Sequence, residues 1–171
     1  SRSDGVDVEG RVGFAPIQGM IIAVGGYSGT RGLETASIDS VNTASREDLL
    51  VAYAGDRFRI GGEYFHAKNW NNVLSPTTDA ADGYSLWGSV ALNEKVSLFA
   101  RYDHANLSTD LDPSANDRYY NLGAEFQVFK NLKLAAVYKH ETRDGTVTTP
   151  DPIHVADTTT NEIGVWGELK F

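Results

Sequence analysis

The sequence predicts an all-β fold, a transmembrane antiparallel up-and-down β-barrel, and three observations lead to this prediction. Apolar and polar residues alternate with a period of two in segments of roughly ten residues, as in strands that have one apolar face. The connections between the segments are short and long in turn, as in a meander with one plain rim and one elaborated rim. Aromatic residues of the apolar face lie near the segment ends, whereas a soluble core would hold them in the middle.

Nine strands are predicted, and they form a single domain over residues 1–171 because no linker or shift in composition divides the chain. Short connections (APIQG, GDR, NEK and KN) alternate with long ones rich in Asp, Asn, Thr, Ser and Pro, at 30–45, 69–81, 107–117 and 143–160. The predicted strands are 5–14, 20–29, 46–54, 58–68, 82–92, 96–106, 118–129, 132–142 and 161–171.

Each strand sets an apolar face against a charged face. Strand 5–14, for example, sets Val8, Val12 and Phe14 against Glu9 and Arg11. The same alternation would fit a soluble sandwich or a lipocalin-like barrel, with the charged face outside. In a membrane barrel the charged face lines the lumen. The residues predicted to line a pore are Asp7, Glu9, Arg11, Arg59, Glu63, Arg101, Asp103, Glu125, Lys139, Glu141, Glu162, Glu168 and Lys170.

The aromatic residues decide between these two orientations. They form two groups on the apolar face, one near the long connections and one near the short connections, with Val, Leu, Ile, Ala and Gly between them. Amphipathic rings favour the two interfaces of a membrane in this way. The predicted interfacial girdles are Phe14, Tyr27, Tyr53, Phe58, Tyr64, Tyr84, Tyr102, Tyr120, Phe126 and Tyr138.

Composition excludes several classes of protein. The net charge of −8 argues against nucleic acid as a partner, because the nucleic-acid backbone is itself anionic. The chain has no cysteine, which excludes disulfide scaffolds and thiolate metal sites. No apolar run approaches the ~18 residues of a transmembrane helix. With 22% charged and 41% apolar residues, the chain is not disordered by composition.

The final segment, NEIGVWGELKF, resembles the C-terminal strand of Gram-negative outer-membrane barrel proteins. Ile163, Val165, Leu169 and Phe171 match the alternating apolar positions and the final Phe of that family, and Gly167 departs from a bulky residue. The resemblance implies that the barrel-assembly machinery reads this segment as an assembly signal. The runs DGYSLWGSVALNEKVSLFARYDHANL and NLGAEFQVFKNLKLAAVYKHE resemble the last hairpins of porins, and only weakly those of phosphate- or oligosaccharide-type porins.

The predicted strand number is odd, whereas bacterial barrels of this kind have an even number with both ends in the periplasm. Counting back from the last strand, strand 5–14 also runs toward the periplasm, so an oppositely directed partner is missing. We therefore expect the chain to be the C-terminal part of a larger barrel of roughly 16–18 strands. The alternative is that a long connection, such as 30–45, hides a further strand.

The expected function is that of an outer-membrane porin, which allows passive diffusion of small hydrophilic solutes through a water-filled lumen. The alternatives are a non-pore structural or adhesive barrel, an outer-membrane enzyme, and a soluble β-barrel. His154, with Asp151 and Asp157 near it in sequence, is the only loop candidate for catalysis, and no recognisable motif surrounds it. We expect no enzyme activity and no cofactor.

Two features raise the question of a metal. Tyr-x-His recurs at His66, His104 and His140, but equivalent positions two strands apart lie roughly 10 Å from each other, too far to share an ion. These histidines are therefore expected to be interfacial anchors. Asp110, Asp112 and Asp117 are a weak calcium candidate, without the EF-hand pattern.

The expected location is the cell outer membrane, and the expected partners follow from it. They are outer-membrane lipid and lipopolysaccharide, the barrel-assembly machinery, the missing N-terminal part of the barrel and, in a homotrimer, two further copies. Nucleic acid is not expected.

Overall fold

The computed structural model describes residues 5–34, 42–145, 147–148, 152–153 and 157–170, and its main element is one sheet of nine strands. Each strand pairs antiparallel with its neighbours along the chain. A separate two-stranded ribbon, β9 (Val147–Thr148) and β10 (Pro152–Ile153), lies in the last long connection. The sheet consists of β1 (Val8–Phe14), β2 (Met20–Gly29), β3 (Ala44–Ala54), β4 (Phe58–Lys68), β5 (Ala80–Ala91), β6 (Val96–Asn106), β7 (Asn116–Phe129), β8 (Leu132–Asp144) and β11 (Thr158–Leu169).

The fold class and the nine predicted strands are confirmed. Every predicted strand is present, with bounds that differ by at most three residues at either end. The additional strand considered within 30–45 is not seen in its described parts, which are turn or irregular until β3 begins, and residues 35–41 lie outside the described part of the chain. No helix among the described residues is long and apolar enough to span a membrane.

The apolar face of the sheet is covered by no other part of the described chain. Val12 is 69% exposed, Ile60 59% and Ile163 83%. The buried apolar residues of the described chain are four alanines and one larger side chain, Val73. A soluble sandwich would pack such a face against a second layer, because an apolar surface of this extent is unfavourable in water. The sheet therefore lacks the core of a soluble domain, and its apolar face needs an apolar environment.

Tyrosines on the apolar face mark the tilt of the strands. Tyr64 pairs across strands with Tyr84, and Tyr102 pairs with Tyr120 two residues nearer the short connections. Tyr138, on β8, lies a further two residues nearer the short connections. From β4 to β8 this band therefore shifts toward the short connections by an average of one residue for each strand crossed. With a rise of about 3.3 Å per residue and about 4.8 Å between strands, a level band requires a strand tilt of about 35°, as in membrane barrels.

Glycines on the opposite face make room for large aromatic rings. Gly61 is paired with Trp87, and a Cβ at Gly61 would lie 2.6 Å from the indole. Phe99 lies in the same way over Gly123, its partner on β7. An aromatic ring that covers a glycine on the neighbouring strand compensates for the missing side chain and fixes the register. These glycines are therefore packing positions and not breaks in the strands.

The rim with the long connections is held together by side-chain amides. Asn42 donates hydrogen bonds from Nδ2 to the carbonyls of Asn72, Ser75 and Thr77, at 2.9, 2.8 and 3.1 Å. The side chain of Val73, which is 1% exposed, lies within this loop. Because these bonds satisfy loop carbonyls that no strand can reach, the connection at 69–79 has a fixed conformation.

The two edges of the sheet run in the same direction. Within the described residues, β1 pairs only with β2, and β11 pairs only with β8. In an antiparallel sheet of nine strands the first and last strands are parallel, and here both end at the rim with the short connections. Each edge leaves a row of backbone N–H and C=O groups without a strand partner.

The packing of Trp87 predicts different effects for two Gly→Ala substitutions. Gly61→Ala should destabilise the barrel by about 1–3 kcal/mol, because the methyl group displaces the indole. Gly10→Ala is the matched control, since a Cβ at Gly10 meets nothing within 4 Å; it should be neutral or stabilising by up to about 1 kcal/mol. Urea-induced unfolding of the two variants in lipid vesicles measures the difference. Equal midpoints would contradict the packing described above.

The amide network of the long rim predicts a local effect on one loop. Asn42→Asp removes the Nδ2 donor and places a carboxylate against three carbonyls, so the 69–79 connection should open and be cleaved faster by an added protease. Asn71→Asp makes the same change of charge at an exposed residue of that loop and should leave cleavage unchanged. Identical cleavage of the two variants would argue against the network.

Candidate functional site

The charged residues predicted from alternation lie together on the face of the sheet opposite the exposed apolar side chains, which we call the polar face. The registers place Arg59 and Ser89 side by side on this face, and Lys139 beside Glu162. Asp7 immediately precedes β1 and Lys170 immediately follows β11, and both keep the phase of the polar face. The whole predicted set, from Asp7 to Lys170, therefore shares one surface.

Ion pairs connect neighbouring strands across the polar face. Lys139 lies 3.1 Å from Glu162, and Lys133 lies 2.9 Å from Glu125. Arg143 contacts two carboxylates. Exposed pairs of this kind contribute only about 0.2–1 kcal/mol each. Their main consequence is a fixed pattern of charge along the wall of the barrel.

Five charged residues on this face were not predicted to line it. Asp117 and Arg143 had been assigned to long connections, but β7 and β8 extend further, and the two side chains meet at 2.7 Å. Lys133 is the second residue of β8 and is paired with Gln127, at the bulge between Gln127 and Phe129. The other two, Arg46 and Asp48, belong to β3. The period-two spacing of Arg46 and Asp48 could have placed both on the polar face. The next residue on that face, Leu50, is apolar, and it obscures the pattern.

The prediction for Tyr27 is wrong, because this residue lies on the polar face and not in an interfacial girdle. It is paired with Glu9 on one side and Arg46 on the other. Its hydroxyl accepts a hydrogen bond from the backbone N–H of Arg31 at 2.7 Å, and its ring meets Trp70 edge-on at 5.2 Å. In MIIAVGGYSG both faces are apolar and Gly25 and Gly26 carry no side chain, so the phase of β2 cannot be determined from alternation.

The other predicted girdle residues lie on the apolar face. Tyr53 and Phe58 meet at 5.5 Å near the short connections, and Phe14 and Phe126 lie on the same face. Near the long connections, ring contacts at 6.0 Å link Tyr84 to Tyr102 and Tyr120 to Tyr138. Two histidines of the Tyr-x-His repeat also contact this band, His104 at 5.6 Å from Tyr84 and His140 at 4.8 Å from Tyr120. The residues of this second band are Tyr64, Tyr84, Tyr102, Tyr120 and Tyr138.

The predicted assembly signal lies on the apolar face of the edge strand β11. Val165 is 72% exposed and Leu169 50%, in phase with Ile163. Gly167 occupies the same face between them. Phe171 lies outside the described residues.

The candidate calcium ligands are not brought together. Asp112 accepts hydrogen bonds from Ser114, and Asp117 belongs to β7 and pairs with Arg143, away from Asp110. Within the described ranges, no group of three His, Asp or Glu side chains has the arrangement of a metal site. Of the loop candidate for catalysis, His154 and Asp151 lie outside the described residues.

Two of the hollows on the polar face are adjacent. The first hollow, of about 370 Å³, is lined by β3 to β8 and includes Glu63, Phe65 and Arg101. The second, of about 500 Å³, is lined by β1 to β4 and is bordered at the long rim by Arg31 and Trp70. Arg46 and Glu63 line both hollows, so the two form a continuous depression along the wall.

Asp7 fixes the entrance of the second hollow. Its Oδ1 accepts a hydrogen bond of 2.7 Å from the backbone N–H of Thr30, which ties β1 to the end of β2. This bond holds the pKa of Asp7 below its usual range, because it stabilises the carboxylate form. The carboxylate is therefore charged at neutral pH and contributes a fixed negative charge at the long rim.

Comparison with known proteins supports the fold and does not identify a family. No family model matches the chain, and no curated protein matches it. Among solved structures, the chain is similar to OmpT (in-vitro folded), an outer membrane protein of Vibrio cholerae, with a TM-score of 0.56 and 18% sequence identity. The similarity covers 95% of this chain and 54% of that one, so the chain spans about half the length of the protein it matches. The fold is thus that of an outer-membrane β-barrel protein.

Proposed function

We propose that this chain forms part of a porin of the outer membrane, through which small hydrophilic solutes diffuse passively. The observation that carries the proposal is the polar face, which is charged along its whole length, hollowed, and opposite an apolar face that no layer of the described residues covers. If lipid covers the apolar face, the polar face encloses the lumen. A plugged interior is less consistent with the exposed charges of this face, since Arg11, Arg101 and Arg143 are each about half exposed.

The charges of the polar face suggest how such a lumen would select solutes. Carboxylates and cationic side chains alternate across neighbouring strands, so the potential changes sign over short distances and favours polar solutes over apolar ones. Carboxylates slightly outnumber cationic groups on this face, which favours a weak preference for cations. Diffusion of this kind requires no cofactor and no catalytic residue.

Two edge strands in lipid would each leave backbone groups without a hydrogen-bond partner, which costs several kcal/mol per group. We therefore propose that further strands close the barrel. Because β1 and β11 are parallel, antiparallel closure requires an odd number of additional strands whose two edge strands run toward the long rim. A second copy of this nine-stranded sheet in the same orientation would give a parallel junction at both edges. The length of the similar Vibrio cholerae protein is consistent with additional strands in a longer chain.

We also propose partners for the two surfaces of the barrel. Outer-membrane lipid and lipopolysaccharide would contact the apolar face and its tyrosine band, and the barrel-assembly machinery would read β11. Association into a homotrimer is compatible with this surface.

Conduction tests the porin proposal against its alternatives. The complete barrel protein should form stable open channels in planar bilayers, and a salt gradient should give a reversal potential with a weak cation preference, because carboxylates are in slight excess on the polar face. A barrel that inserts and does not conduct would instead be structural or adhesive. Hydrolysis of peptide or lipid substrates without conduction would favour the enzyme alternative.

The orientation of the two faces can be tested with neighbouring cysteines, because the chain has none of its own. Ser89→Cys lies on the polar face of β5, and Val90→Cys lies on the apolar face. A membrane-impermeant cationic thiol reagent should change the single-channel conductance of Ser89→Cys and leave that of Val90→Cys unchanged. The reverse pattern would place the apolar face in the lumen and exclude the proposed orientation.

A further inference from the structure

Two arginine–aspartate pairs with the same spacing on the polar face have different arrangements. On β6, Arg101 donates from Nε to both carboxylate oxygens of Asp103, at 2.9 and 2.8 Å. On β3, Arg46 and Asp48 are also two residues apart on one face, yet no hydrogen bond or ion pair joins them. We call the first pair closed, because its two side chains are hydrogen-bonded to each other, and the second pair open, because its side chains are not.

The neighbouring strands keep the second pair open. The Arg46 guanidinium lies over the ring of Phe65 on β4, with Cζ 5.7 Å from the ring centroid. The Asp48 carboxylate turns the other way, across Gly25 on β2, where a Cβ would lie 2.6 Å from it. Arg11 approaches that carboxylate only to 3.6 Å, beyond hydrogen-bond distance.

Two polar atoms of this open pair are buried without a hydrogen-bond partner among the described residues. Arg46 Nε and Asp48 Oδ1 are inaccessible and have no hydrogen-bond partner among the described residues, and the same holds for Ser85 Oγ nearby. Glu63 lines both hollows beside Arg46 and makes no ion pair with any described residue. Buried polar atoms in proteins nearly always have a partner, so such a group of atoms marks a place where one arrives from outside the chain.

The hydrogen-bond donors and acceptors of this group of atoms determine which chemical class of ligand fits it. Arg46 Nε–H can only donate, and therefore takes an anionic or carbonyl oxygen. Asp48 and Glu63 can only accept, and therefore take an ammonium or another N–H or O–H donor. A solute with a carboxylate and an ammonium satisfies both ends with charge-assisted hydrogen bonds, whereas an anion or a cation alone satisfies one end and meets repulsion at the other.

We propose that Arg46, Asp48 and Glu63 form a binding subsite for zwitterionic solutes of the amino-acid or short-peptide class. The solute carboxylate binds Arg46, and its ammonium group binds Asp48 and Glu63. The inference rests on the proposed function, because the subsite faces the lumen, and it specifies a class of solute that the pore concentrates.

Binding is measured directly, by saturation-transfer NMR on the complete barrel protein in detergent micelles, with glycylglycine as the probe. Glycylglycine should bind, whereas acetate, ethylammonium and uncharged N-acetylglycinamide should bind at least about tenfold more weakly, as the loss of a charge-assisted hydrogen bond predicts. Arg46→Gln and Glu63→Gln should each weaken glycylglycine binding about tenfold, and the conservative Asp48→Asn should do the same.

Matched controls change the same charges on the other face. Glu47→Gln and Lys68→Gln alter residues of the same two strands that lie on the apolar face near the long rim, and both should bind glycylglycine as the unaltered protein does. Heat-modifiable electrophoretic mobility shows which variants have folded, and only folded variants are compared.

Conductance in potassium chloride, recorded on the same preparations, separates the two proposals. Open channels without glycylglycine binding would overturn the subsite and leave the porin. Equal weakening in the Glu47→Gln control would also overturn it, since the effect would then be one of general charge. Selective binding in a barrel that does not conduct would support the subsite and overturn the porin.

Discussion

The structure depends on one constraint, that backbone hydrogen bonds in lipid must be made within the protein. A strand satisfies this condition only when it has a neighbour on each side, and the seven inner strands of the sheet meet it through continuous registers of about ten pairs. The tilt of the strands, the level band of tyrosines and the separation of two faces all follow from these registers. The two parallel edges, β1 and β11, are where the condition is not yet met.

The same constraint reverses the usual source of stability. A soluble sheet gains free energy from an apolar core, whereas in this sheet the apolar side chains are exposed and the ion pairs lie on the opposite face. Side-chain contacts between neighbouring strands therefore stabilise this sheet in place of the contacts between packed layers that stabilise a soluble domain. Rings that lie over glycines, such as Trp87 over Gly61, pack against the polar face, and the amides of Asn42 and Asn69 stabilise the long rim where the strand pairing ends.

The sequence was sufficient to predict whatever depends on period two alone. Strand number, the order of short and long connections, and the face of the charged residues that were assigned in advance follow from alternation, because successive residues of a strand point to opposite faces. It was insufficient where alternation is interrupted. Gly25 and Gly26 have no side chains, so alternation does not show on which face of β2 Tyr27 lies. Apolar Leu50 in the same way obscures the face of Arg46 and Asp48. Contacts between loops, such as that of Arg31 with Trp70, have no periodic signal at all.

Residues that alternation places correctly can still differ in what they do, and the two arginine–aspartate pairs show why. Along the strand, Arg46–Asp48 and Arg101–Asp103 are equivalent, and no local rule distinguishes them. The difference arises across the strands, from a glycine and an aromatic ring that draw the first pair apart. The chemistry of the polar face is therefore set by the register between strands, which the alternation that specifies the fold does not determine.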